Sequence, residues 1–112
     1  MATTFLVLSD RVGEGDDEFG GVLMRSFLYY LARNEESPAR LMFMNAGVRL
    51  TCEGSESLDD LALLAEAGAA ISSCGTCLDY YKLADTLRVG TVGAMEGAVA
   101  TLAGDADVVT IR

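Results

Sequence analysis

Apolar positions along the chain fall into short unbroken runs separated by stripes at helical spacing. Residues 3–9 (TTFLVLS) are β-branched, aliphatic and aromatic, which predicts a buried strand. Glycines and charges interrupt the pattern over residues 10–17 (DRVGEGDD). Over residues 18–32, Phe19, Val22, Leu23, Phe27, Tyr30 and Leu31 recur at helical spacing and predict a helix with that stripe toward the core. Arg33 and Asn34 suit its last turn and end. Residues 40–45 (RLMFMN) read as a second strand, and residues 46–55 as a loop around Gly47 and Gly54. Ser57 with Asp60 three residues on resembles a capping box. It would open a helix carrying Leu58, Leu61, Leu63, Leu64 and Ala67, closed by Gly68.

Residues 70–73 predict a third strand that runs directly into Cys74, and residues 76–83 a short helix. Residues 88–92 read as a brief extended segment, Met95–Leu102 as a helix stopped by Gly104, and Asp107–Ile111 (DVVTI) as a closing strand. The alternation of strands and helices predicts an α/β domain, a three-layer α/β/α sandwich on a mostly parallel sheet of about five strands. The 112 residues suit one domain spanning 1–112, without linker, repeat or low-complexity segment.

Composition narrows the chemistry. Hydrophobic residues make up 51%, enough for a packed core. A net charge of -9 repels phosphate backbones and anionic lipid, which argues against nucleic-acid and membrane partners. The absence of histidine removes Ser-His-Asp and Cys-His catalysis and any imidazole-based metal site. No apolar run reaches the roughly 18 residues of a membrane span, and the N-terminus lacks the basic-then-apolar pattern of a signal peptide. A cytoplasmic location, where thiols stay reduced, is the expectation. An odd number of cysteines, three, speaks against a disulfide framework.

The sharpest chemical feature is Cys74-Gly75-Thr76-Cys77. In open parallel sheets ligands bind outside the carboxyl ends of the strands. The first predicted strand ends in Ser9-Asp10-Arg11, the second at Asn45 and the third at Cys74, so Asp10, Arg11, Asn45 and Cys74 are expected on one rim. Cys74 would lie at a strand-to-helix turn with Cys77 in the first helical turn, where free N–H groups and the helix dipole favour thiolate over thiol. Gly75 allows a tight turn and a close ligand approach, and Thr76 is placed to cap the helix. Buried structural thiols and half of an inter-subunit zinc site are the competing readings, the second weakened by the missing histidine. Cys52 follows the second strand and reads as a passenger. Gly13-x-Gly15 is no dinucleotide fingerprint, because position 18 is Glu and the loop carries Glu14, Asp16 and Asp17. Those acids suit a helix entrance.

Three segments together, SDRVGEGD, NAGVRLTCEGS and CGTCLDY, resemble the DsrE-like (DsrE/DsrF) sulfurtransferase family, nearest to its sulfurtransferase-like selenium metabolism branch, the YedF group. The resemblance covers nearly the whole chain. It implies the same three-layer fold, assembly into dimers, trimers or hexamers, and a persulfide carried on a cysteine at the end of a central strand. Cys74 matches that cysteine; Cys77 matches the second thiol of the CGTC-bearing branch. Position 52 holds Cys where that branch suggests a small hydroxylated residue. Relatives commonly carry a small sulfur-carrier domain ahead of this one, whereas this sequence opens at the first strand, so the resemblance implies a donor or acceptor protein of that kind as partner.

The expected function is therefore a cytoplasmic relay in which Cys74 carries sulfane sulfur, or selenium, as a persulfide. An acceptor would take the outer sulfur, or alternatively Cys77 would attack, releasing sulfide and leaving a Cys74–Cys77 disulfide; Asp10, Arg11, Asn45, Gly75 and Thr76 would line the site. No metal or organic cofactor is required. A CxxC dithiol redox module is one alternative, although thioredoxin-like proteins place the motif after their first strand opposite a cis-proline, and Pro38 is the only proline. A non-catalytic oligomeric binding domain is another: Met24, Leu28 and Tyr29 lie beyond the predicted core stripe, and with Met42 and Met44 they suggest surface for self-association.

Overall fold

The computed structural model describes residues 3–104 and 107–112. Five strands are β1 (Thr3–Val7), β2 (Arg40–Phe43), β3 (Ala70–Cys74), β4 (Thr91–Gly93) and β5 (Asp107–Ile111). They form one sheet in the order β4-β3-β2-β1-β5, with every neighbouring pair parallel. Four α-helices connect them: α1 (Asp17–Arg33), α2 (Leu58–Glu66), α3 (Gly75–Tyr80) and α4 (Met95–Leu102). The sheet is laid down outward from β1 to β4, and the chain then returns across its width to β5. Right-handed crossovers put the first three helices on one face and the returning helix on the other. The expected three-layer α/β/α sandwich is the fold observed.

One face of the sheet carries Val7, Leu41, Phe43 and Ile71, and these pack with Met24 and Leu28 of α1 and Leu61 and Leu64 of α2 as a continuous core. The orientation of α1 departs from the predicted one. Its buried positions are Gly20, Met24 and Leu28, spaced by four. Phe19, Val22, Leu23 and Tyr30, expected in the core stripe, are exposed, Tyr30 at 69%. Gly20 explains the choice. A side chain there would meet the Cβ of Arg11 at 2.9 Å, so this face lets the helix approach the loop after β1 more closely than a larger residue would.

Asp16 caps α1 by accepting the Phe19 N–H at 2.8 Å, and Asp17 and Glu18 follow in the first turn. The acidic loop is thus the helix entrance that the sequence suggested. The capping box predicted for α2 does not form. Ser57 holds the N-cap position, but its buried Oγ has no partner among the described residues, and Asp60 instead accepts from Arg33 of α1 at 2.9 Å. The segment after β2 is not an irregular loop but a 3₁₀ helix, Asn45–Thr51. It crosses the end of β1 so closely that a Cβ at Gly47 would stand 2.4 Å from the Val7 carbonyl oxygen.

Candidate functional site

The adjacent carboxyl ends of β1, β2 and β3 bring Asp10, Asn45 and Cys74 to one edge of the sheet, as their strand-end positions led us to expect. Cys74 is the last residue of β3 and the N-cap residue of α3, and Cys77 lies in the first turn of that helix. Cys74 is largely buried, and Cys77 is partly exposed. The strand beneath Cys74 is anchored from the side. Thr51 Oγ1 donates to the Val48 carbonyl at 2.8 Å and lies 2.7 Å from Ser73 Oγ, which ties the 3₁₀ helix to the residue before Cys74. Both hydroxyls are fully buried and so satisfied by each other and by the backbone.

Cys77 connects the dithiol to the tip of β2. The Asn45 backbone N–H donates to Cys77 Sγ at 3.1 Å, and the Asn45 side-chain oxygen accepts from the Tyr81 hydroxyl. Asn45 reaches this pose with φ of 50°, in the left-handed region that asparagine tolerates better than most residues. The Arg49 guanidinium lies 4.6 Å from the centre of the Tyr81 ring and 3.5 Å from Asp10. Asp10, Arg49, Tyr81, Asn45 and Cys77 therefore form a continuous polar chain along the rim. Sequence reading missed Tyr81 and Arg49 from this chain, because their partners lie on other elements.

Burial pushes the Cys77 thiol above its ordinary value of 9.0; the Asn45 amide opposes this, and the hydrogen bond and charge of Cys74 add to the rise. The expectation that the helix start holds the dithiol as thiolate is thus reversed for Cys77.

The other expected site residues are placed as follows. Arg11 turns away along the entrance of α1 and pairs with Asp17 at 3.2 Å. Gly75 opens α3 against β4, where a Cβ would stand 3.0 Å from a methyl of Val92. Thr76 is an exposed residue inside α3; the cap position belongs to Cys74, so the predicted threonine cap is not formed. Cys52 is fully buried, with Sγ donating to the Val48 carbonyl at 3.2 Å, a packing role as expected of a passenger. Among the described residues no three cysteine, aspartate or glutamate side chains converge as a metal-ligand set.

No family model matches the chain, and no curated protein matches it. Solved structures do. A protein of unknown function from Methanobacterium thermoautotrophicum, MTH1491, is similar with a TM-score of 0.70 at 20% identity, covering 97% of both chains. The ychN protein from E. coli superposes with a TM-score of 0.67 at 20% identity, over 99% of this chain and all of its own. A conserved protein of unknown function from Bacteroides thetaiotaomicron, BT1422, gives 0.63 at 14% identity, over 96% of this chain and 94% of that one. At such identities the likeness establishes the fold and carries no chemistry with it.

Proposed function

We propose that the protein is a DsrE-like sulfurtransferase that carries sulfane sulfur, or selenium, as a persulfide on Cys74. The observation that carries this reading is the placement of both thiols at the end of β3, Cys74 at the N-cap of α3 and Cys77 in its first turn, held against the Asn45 N–H. In the loading step the Cys74 thiolate attacks the outer sulfur of a donor persulfide, R–S–S⁻. A new S–S bond forms at Cys74, the donor's own S–S bond breaks, and R–S⁻ leaves and takes a proton from water, with no net oxidation. Cys77, protonated at neutral pH, hydrogen-bonds the anionic persulfide. An acceptor thiolate then takes the outer sulfur and returns Cys74 as thiolate. The acceptor and donor fit a small sulfur-carrier protein, and the acidic surface disfavours nucleic acid and anionic membrane. No helix among the described residues is long and apolar enough to cross a membrane.

The test is intact-mass spectrometry after incubation of the reduced chain with a persulfide donor. A gain of about 32 Da, removed by reductant and lost in Cys74→Ser but retained in Cys77→Ser, is the expected result. A loss of about 2 Da in the parent with no sulfur gained would replace the relay by a dithiol redox module.

Self-association belongs to the same reading. Phe19, Val22, Leu23 and Tyr30 present one exposed apolar surface on α1, the kind of surface that a second copy of the chain covers.

A further inference from the structure

The face of the sheet opposite α1 and α2 is incompletely filled. Arg40 and Met42 of β2, and Ala70, Ser72 and Cys74 of β3, share that face by the two-residue alternation of strands. On this side α4 contributes the small residues Gly97 and Ala98 beside Met95 and Thr101, and a cavity of about 270 Å³ remains between helix and sheet. Cys74 lines one end of it and Arg40 the other. Register pairs Arg40 with Ala70, four residues before Cys74, so backbone positions at the two ends stand about 13 Å apart. Met42 lies between them, and Met44 and Met95 add flexible thioether side chains to the lining toward the Cys74 end. Arg40 is exposed, and among the described residues no carboxylate pairs with it.

We propose that this cavity binds an aliphatic thiol with a carboxylate at its far end, the carboxylate at Arg40 and the sulfur at Cys74. The ligand is a small-molecule donor or acceptor for the relay, so the inference rests on the persulfide reading of Cys74. Several features select this class. The volume is at the small end of ligand cavities and suits a single chain of metabolite size rather than a protein segment with bulky side chains. The lining suits methylenes and sulfur. In a chain of net charge -9, the guanidinium at the mouth offers an anion a local attraction that most of the surface denies it. Transfer is balanced as at any persulfide. The bound R–S–S⁻ yields its outer sulfur to the Cys74 thiolate, its S–S bond breaks, and R–S⁻ leaves; the acceptor direction is the reverse.

The cavity is tested separately from the chemistry with 8-(methylthio)octanoate, a thioether that can neither give nor take sulfur, titrated calorimetrically against the full chain. One-to-one binding is expected, weakened about three- to tenfold by Arg40→Gln and by replacing the probe's carboxylate with an alcohol. The alcohol should be indifferent to Arg40→Gln. Gly97→Leu and Ala98→Leu should abolish binding by filling the cavity. The first is the safer for folding, because a Cβ at Gly97 meets no atom within 4 Å and leucine favours a helix over glycine. Absence of binding, an acid that binds no tighter than the alcohol, or unchanged affinity in both leucine variants would overturn the proposal. Thioether binding as described, in a protein whose Cys74 takes no sulfur from any persulfide, would sustain the cavity and count against the relay.

Discussion

Asn45 links backbone conformation to sulfur chemistry in one residue. Its left-handed φ turns its N–H onto Cys77 while its side chain engages Tyr81. The strand ends that supply Asp10, Asn45 and Cys74 were legible because a parallel strand projects its terminal residue onto a predictable rim. Tyr81 and Arg49 were not, since a contact across 36 positions leaves no local pattern. Arg11 misled for the opposite reason: it adjoins Asp10 in sequence, but the loop carries it back over Gly20 to Asp17. The titration of Cys77 has a testable sign. Burial raises its pKa above 9.0, so its thiolate fraction, and with it the rate of iodoacetamide alkylation, should still be climbing beyond that pH. A plateau at lower pH, read by peptide mapping, would contradict this environment. By linkage, the unfolded chain releases this proton at its ordinary pKa and the folded chain only higher. Cys77 therefore lowers stability as pH rises through that window, and not below it.

At the scale of elements, periodicity located α1 and α4 to within a residue or two but chose the wrong face of α1. Both faces of this helix are apolar, so the pattern alone contained two answers. Gly20, spaced by four from Met24 and Leu28, selects between them because the close approach over Arg11 tolerates no side chain. The same helix therefore makes a sharp pair of predictions. Leu28→Ala, at a fully buried position, should cost about 2–5 kcal/mol in urea unfolding. Tyr30→Ala, on the exposed face, should stay within about 0.5 kcal/mol in the monomer. Reversal of that order would mean that the helix is turned the other way. The 3₁₀ helix after β2 escaped sequence reading because its glycine-punctuated sequence carries no strong period. It is held instead by tertiary bonds, Thr51 to Ser73 and the crossing at Gly47.

For the molecule as a whole, the acidic surface and the exposed face of α1 act against each other. Like charge repels copies of the chain, and exposed apolar surface favours contact between them. Sedimentation velocity should show an oligomer that strengthens as salt is raised from low ionic strength, because screening removes the repulsion and leaves the apolar contact. Val22→Lys combined with Tyr30→Lys should return it to monomer; an unchanged assembly would place the interface elsewhere. The dithiol edge lies across the sheet from β5 and is built from one copy's own strand ends, so thiol loading in that monomeric variant should persist.

Relay demands that sulfur be handed on as well as held. The chain loaded from a ³⁵S-labelled persulfide donor and desalted should pass its label to an added acceptor thiol, recovered as the acceptor's persulfide, with Cys74→Ser carrying no label to pass. Label that stays on the protein, or that leaves solely as sulfide with oxidation of Cys74 and Cys77 to a disulfide, would contradict the carrier function assigned to Cys74.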